Sequence, residues 1–292
     1  MKVKKTAGQI AFNTVSYFFT GIVSLMCLLP FLLVISASLT SESAIYAKGY
    51  ALIPPEFSTQ AYRFLFEYPQ EILNAYAVTV FITAVGSAAG LFLTAMAGYV
   101  LQRPDFKYRN VFSFYIYFTM LFNGGLVPTY LIYTTYFGIK NTFAALLVPS
   151  LLMSPWYVLL SKSFFVNNVP GAVLESARID GARETTVLFR IVVPLSKPVL
   201  ATVALWCMVS HWNAWYDCML YIRDDARYVL QYTLQRILLD GQVQDLDNIG
   251  AKVNTETMKM ASIVVSILPI MVVYPFVQKY FTKGIAMGAV KG

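Results

Sequence analysis

Residues 72–102 read ILNAYAVTVFITAVGSAAGLFLTAMAGYVLQ, thirty-one positions without one Asp, Glu, Lys or Arg. A helix rises 1.5 Å per residue, so about 20 residues cross a hydrocarbon core of about 30 Å, and this stretch is long enough to do so. Gly86, Gly90 and Gly98 would weaken a soluble helix, but in a membrane span glycine lets neighbouring helices approach closely. Five more charge-free runs flank it, at 6–41, 110–139, 141–161, 198–216 and 260–278. The shortest of the six has 19 residues and the next run in the chain, 163–174, only 12, which fixes the count. The expected fold is an all-α membrane protein, a single transmembrane domain over 1–292, with spans near 15–37, 73–100, 111–133, 142–161, 199–221 and 260–278.

The composition agrees. Of 292 residues, 58% are hydrophobic and 13% charged, and mean hydropathy is +0.60. Soluble domains carry about 25% charged residues because a compact core cannot hide so much apolar surface. A soluble enzyme and a disordered chain are both excluded. The net charge of +7 would suit nucleic acid, but its distribution argues otherwise. If residues 1–14 lie inside, then 101–110, 162–197 and 279–292 do too, and these parts hold fourteen basic against four acidic residues. The remainder holds eight basic against eleven acidic. Such a Lys/Arg bias in short loops sets orientation, so both termini are expected in the cytoplasm and no nucleic-acid partner is implied. Lys2, Lys4 and Lys5 imitate a signal peptide, but the apolar part Val15–Ala37 exceeds the 7–15 residues of a cleavable core and reads as an uncleaved first span.

Cys27, Cys207 and Cys218 fall in or beside spans with no Cys/His ligand spacing, so they read as packing residues and no metal site is expected. No phosphate-cradling loop occurs, so no nucleotide binds this chain. The outer segment 38–72 is expected to be partly ordered, and Tyr228–Leu239 has helical apolar spacing. The longest inner segment is 163–198. There Asn167-Asn168-Val169-Pro170 reads as a helix start. Gly171–Asp180 reads as a short helix ended by Gly181, and Ala182–Val193 as a second one stopped by Pro194. Two short helices at a glycine turn would form a compact protrusion able to dock in a partner's cleft.

Glu175-Ser176-Ala177, Gly181, Ile191 and Val193-Pro194 resemble the EAA loop of ABC importer membrane subunits, whose pattern is E-A-A, three residues, G, nine residues, I, one residue, L-P. The spacing fits throughout; Ser176 and Val193 depart from Ala and Leu. The strings Phe122–Thr129 (FNGGLVPT), Trp212–Trp215 (WNAW) and Gln278–Ile285 with Gly288–Gly292 resemble the carbohydrate-importing, MalG-type branch, and the last of them its importers of complex oligosaccharides such as pectin or alginate fragments. The resemblance implies a type I permease paired with a homologous second permease, two cytoplasmic ATPase subunits that hold the ATP and Mg, and an extracytoplasmic solute-binding protein. It implies a bacterial cytoplasmic-membrane location and no catalysis by this chain. It assigns ATPase coupling to Glu175, Ser176, Ala177, Asp180, Gly181, Ile191 and Pro194, and a C-terminal tail that touches the ATPases.

Sugars are bound by aromatic faces and amides, and Asn123, Trp206, Asn213 and Trp215 are the candidates for a substrate path, because polar groups inside a bilayer face a cavity or another helix. Trp and Tyr also populate membrane interfaces, and the partner permease is an alternative holder of the sugar. A non-sugar solute is an alternative cargo. An intramembrane enzyme would have to use His211, the single histidine, with Asp217 and a serine, which nothing in the spacing brings together. Asp224-Asp225, beside Arg223 and Arg227, reads as a salt-bridged turn rather than a metal site. A secondary transporter would carry acids within its spans, and the six runs contain none.

Overall fold

The computed structural model describes residues 6–67, 69–149, 152–247 and 255–288. In chain order the helices are α1 (Ala7–Ser38), α2 (Glu42–Lys48), α3 (Gln60–Leu65), α4 (Pro69–Gln102), α5 (Arg109–Leu121), α6 (Leu126–Leu131), α7 (Phe143–Leu147), α8 (Pro155–Asn168), α9 (Gly171–Ile179), α10 (Glu184–Val187), α11 (Val193–Leu195), α12 (Lys197–Trp212), α13 (Trp215–Tyr221), α14 (Leu230–Asp247) and α15 (Thr255–Gly288). Among the described residues there is no strand, only an isolated bridge between Thr40 and Phe57. Among the described residues three helices are long and apolar enough to cross a membrane, or up to five if each of two bent pairs counts as one span.

Straightness is where the helices depart from the runs. Run 110–139 breaks at Phe122–Gly125, and its two halves meet at 115°. Gly125 has φ +87°, a left-handed conformation that glycine adopts without a Cβ penalty, and no other atom would lie within 4 Å of a Cβ there. Run 141–161 holds the short α7 and then α8, which continues past the run to Asn168. Run 198–216 is interrupted at Asn213-Ala214. A charge-free composition reports that a segment tolerates hydrocarbon; it carries no information on whether the helix is continuous.

The chain divides into two compact units. The first comprises the N-terminal part through Pro69 with Arg236–Leu268. Here the 38–72 segment is ordered as expected. Glu42 of α2 caps α15 from a distance: its carboxylate accepts hydrogen bonds from the backbone N–H groups of Glu256 (3.1 Å) and Thr257 (2.9 Å) and from the Thr257 hydroxyl (2.7 Å). A helix start carries unpaired N–H groups and partial positive charge, so a carboxylate suits it. Most side chains of α1, from Phe12 through Leu29, are exposed.

The second unit comprises Gln70–Gln235 with the chain from Pro269 onward. Two apolar cores lie toward opposite ends of α4. One gathers Val78 and Ile82 of α4 with Ala145, Leu146, Cys218, Tyr221 and Val229. It is pinned by Asn141, whose side-chain oxygen accepts from the N–H of Arg223 (3.0 Å) and Asp224 (3.1 Å) while its own N–H reaches the Tyr221 carbonyl (2.9 Å). The other gathers Ala95 and Tyr99 of α4 with Phe165, Leu174, Val187, Leu188, Val192, Val199 and Leu200. Between them Gly86 faces the fully buried ring of His211.

Candidate functional site

The segment 171–195, the protrusion of the sequence reading, folds as short helical pieces around a turn at Gly181, with its parts differently arranged. Asn167 and Asn168 end α8 rather than starting the next helix, since their amides donate back to the carbonyls of Ser163 (2.9 Å) and Phe164 (3.1 Å). Pro170 then caps α9 with extended backbone. At the far end of α9 the Gly181 N–H donates to the Arg178 carbonyl (3.0 Å) and the Ala182 N–H to the Ala177 carbonyl (2.9 Å). This is a Schellman turn, which needs a left-handed residue at its hinge and brings together the apolar residues on either side of it. Gly181 supplies it with φ +77°. Ala177 and Ala182 pack on the buried core, as do Ile191 and Val193.

The second helical piece does not stop at Pro194. Helical backbone runs from Glu184 to Leu195 through a wider π turn at Leu188–Val192, and the sharp bend of 87° into α12 comes only at Ser196. An α register would set the Pro194 ring against the carbonyl of residue 190, and a π turn shifts that register. Glu175, Ser176, Asp180 and Pro194 are exposed, while Leu174, Val187, Leu188 and Val192 are buried. The residues of the EAA pattern thus split between two jobs: Ala177, Gly181 and Ile191 hold the protrusion's shape, and Glu175, Ser176 and Asp180 form its outward face.

Two residues of this segment stand out that the sequence reading did not single out. Ile179 is 81% exposed and lies one helical turn beyond Glu175 on the same outward face, a spacing of four that was available to find it. Glu184 gathers three partners on one carboxylate: it accepts hydrogen bonds from the Tyr99 hydroxyl and Arg178 Nε (3.2 Å) and is ion-paired with Arg103 Nη1 (3.0 Å). Its partners Tyr99 and Arg103 lie more than 80 positions away in sequence, and no local pattern signals them. Arg103 also grips Asp105, and this holds the Asp105 carboxyl down at about 2.

The expected substrate-path residues are not gathered in one pocket. Asn123 sits in the α5–α6 break, where its side-chain oxygen accepts from the Gly125 N–H (2.8 Å). Asn213 sits in the α12–α13 break, donating from its amide to the Val209 carbonyl (2.9 Å). Trp206 stacks on Tyr157 with ring centres 5.6 Å apart, and Trp215 meets Tyr216 edge-on at 5.6 Å. A cavity of about 450 Å³ lies between α4, α12 and α15, lined by residues such as Thr83, Leu91, Met208, Trp212 and Ile270, and none of the four candidates lines it. Its walls are almost wholly apolar, which suits hydrocarbon and not a sugar. His211 is a structural residue: its Nδ1 lies 2.8 Å from the Cys207 carbonyl and its ring is packed on Gly86. Of the C-terminal string, the backbone is helical to Gly288, and residues 289–292 lie outside the described residues.

Residues 90–287, which include the protrusion and both helix breaks, match the family described as binding-protein-dependent transport system inner membrane component. The polygalacturonan/rhamnogalacturonan transport system permease protein YtcP of Bacillus subtilis (strain 168) is 37% identical, over 96% of this chain and 98% of its own. Protein LplC of the same organism is 39% identical, over 98% and 96%. Among solved structures, a bacterial ABC transporter involved in the import of the acidic polysaccharide alginate is similar with a TM-score of 0.78 at 30% identity, covering 96% of this chain and 100% of its own.

Proposed function

The chain belongs to the family of binding-protein-dependent transport system inner membrane components, and on that premise we propose that it is a permease subunit importing acidic oligosaccharides, fragments of pectin or alginate, at the expense of ATP hydrolysed elsewhere. Two relatives support this cargo: the permease named for polygalacturonan and rhamnogalacturonan, and the importer of alginate. The chain crosses the bacterial cytoplasmic membrane six times with both termini inside. It pairs with a homologous permease, two ATPase subunits carrying ATP and Mg, and an extracytoplasmic solute-binding protein.

The observation that carries the coupling part is the protrusion itself, fixed by a buried core and a Schellman turn while Glu175, Ser176 and Ile179 are left exposed. An apolar anchor ringed by polar groups is the form of a docking surface. Closure of the ATPase dimer on ATP moves this stiff element, and the spans alternate between inward-open and outward-open around a path near the midplane. The helix breaks at Phe122–Gly125 and Asn213-Ala214 support a part for Asn123 and Asn213 in that path, with Trp206 and Trp215 as its sugar-stacking candidates.

The test is reconstitution of the whole complex in proteoliposomes with ATP inside and binding protein outside. Uptake of galacturonate oligomers that requires both is the expected result. An Ile179→Asp chain should lose the ATPase subunits on co-purification while keeping its second permease. A complex that assembles and hydrolyses ATP but takes up no oligosaccharide, neutral or acidic, overturns the sugar reading. Undiminished ATPase capture by Ile179→Asp overturns the docking role.

A further inference from the structure

The protrusion is joined directly by the chain to α8 at Val169-Pro170 and to α12 at Ser196, whereas α4 is separated from it in sequence by α5 to α8. Leu91, Ala95 and Tyr99 of α4 meet it through an apolar core. Such contact is non-directional and leaves sliding cheap. The directional contact is made by Glu184. One of its carboxylate oxygens accepts from Arg178 of α9 (3.2 Å), and the other accepts from the Tyr99 hydroxyl of α4 and is ion-paired with Arg103 (3.0 Å), just past the end of α4. Tyr99 is only 4% exposed, so its hydroxyl has one fixed direction, and Arg103 is held from behind by Asp105. An exposed ion pair alone counts for little, whereas two hydrogen bonds and a second guanidinium converging on one carboxylate from two separate elements fix its position.

We infer that Glu184 is a clasp that fastens the protrusion to the end of α4, so that a movement imposed on the protrusion is delivered to α4 as well as to α12. The inference rests on the permease reading above. Glu184 acts through Tyr99, Arg103 and Arg178 and is therefore a positioning residue. Without the clasp, α4 slips against the moving protrusion and ATP is spent on strokes that move only part of the bundle.

The deciding quantity is uptake per ATP hydrolysed in the reconstituted complex, which a loss of folded protein leaves unchanged. Glu184→Gln should keep binding-protein-stimulated ATPase activity while uptake per ATP falls by about fivefold or more, the lower range of ordinary coupling energies. Tyr99→Phe, which removes one hydroxyl and no packing, should lower the ratio in the same direction by less. The double variant should be no worse than Glu184→Gln, since both act on one contact. If uptake and ATPase activity fall together at constant ratio, or if Tyr99→Phe leaves the ratio intact while Glu184→Gln does not, the clasp is overturned, the second outcome marking Glu184 as a direct ATPase contact. Failure of the unaltered complex to import anything would instead sink the permease reading, and the inference with it.

Discussion

Gly181 and Gly86 are both indispensable glycines, for different physical reasons. At Gly181 the φ of +77° is the constraint, since no other atom lies within 4 Å of where a Cβ would stand. Alanine there costs about 1–2 kcal/mol of left-handed strain, while asparagine, which tolerates that region, costs less. Thermal melts should therefore rank Gly181→Asn close to the unaltered chain and Gly181→Ala below it. If Gly181→Asn melts normally yet loses uptake, the open space around the turn is filled by the ATPase. At Gly86 the constraint is contact: a Cβ would sit 2.1 Å from His211 Nε2. Gly86→Ala overpacks a buried site and should cost about 1–3 kcal/mol. His211→Ala opens space opposite, so the double variant should be much less destabilised than the sum of the two, as a melting cycle would reveal. Additive losses would mean that the two residues do not meet. The turn at Gly181 was legible in the sequence because a glycine after a short amphipathic helix has a local cause. The pairing of Gly86 with His211 was not, because it joins residues 125 positions apart in sequence.

At the scale of elements, the existence of the long apolar segments was legible and their breaks were not. Asn123-Gly124-Gly125 lay within a charge-free run, and run length speaks for lipid compatibility while the left-handed Gly125 decides continuity. Likewise Pro194 reads as a stop, yet the π turn before it lets the helix pass to Leu195. The α5–α6 break tests the proposed path. Asn123→Ala removes the acceptor for the Gly125 N–H and should lower stability by about 1 kcal/mol. Asn123→Asp keeps an acceptor at that oxygen and should melt as the unaltered chain does. It also puts a negative charge beside the path, and a like charge in a desolvated site is strongly unfavourable, so uptake of galacturonate oligomers should fall about tenfold while a neutral oligosaccharide is spared. Equal effects on both sugars would remove Asn123 from the path.

For the whole molecule, the governing feature is how unevenly charge is spread along the chain. Fourteen basic and four acidic residues lie in 1–14, 101–110, 162–197 and 279–292, against eight and eleven elsewhere. The helix α1 at 32 residues extends about 48 Å, more than the hydrocarbon thickness. Basic segments resist translocation, and 162–197 carries five of those basic residues, three of them, Arg178, Arg183 and Arg190, in the protrusion. Cysteine labelling reads this directly. Cys207 and Cys218 are buried, so replacing only Cys27, which is exposed, leaves a quiet background. On intact cells a membrane-impermeant maleimide should label a chain bearing Ala226→Cys and leave one bearing Ser176→Cys untouched until the cells are permeabilised; both positions are exposed on the protein surface. Labelling of Ser176→Cys from outside would put the protrusion beyond the reach of any cytoplasmic ATPase, and a lever on that side would have no motor to move it.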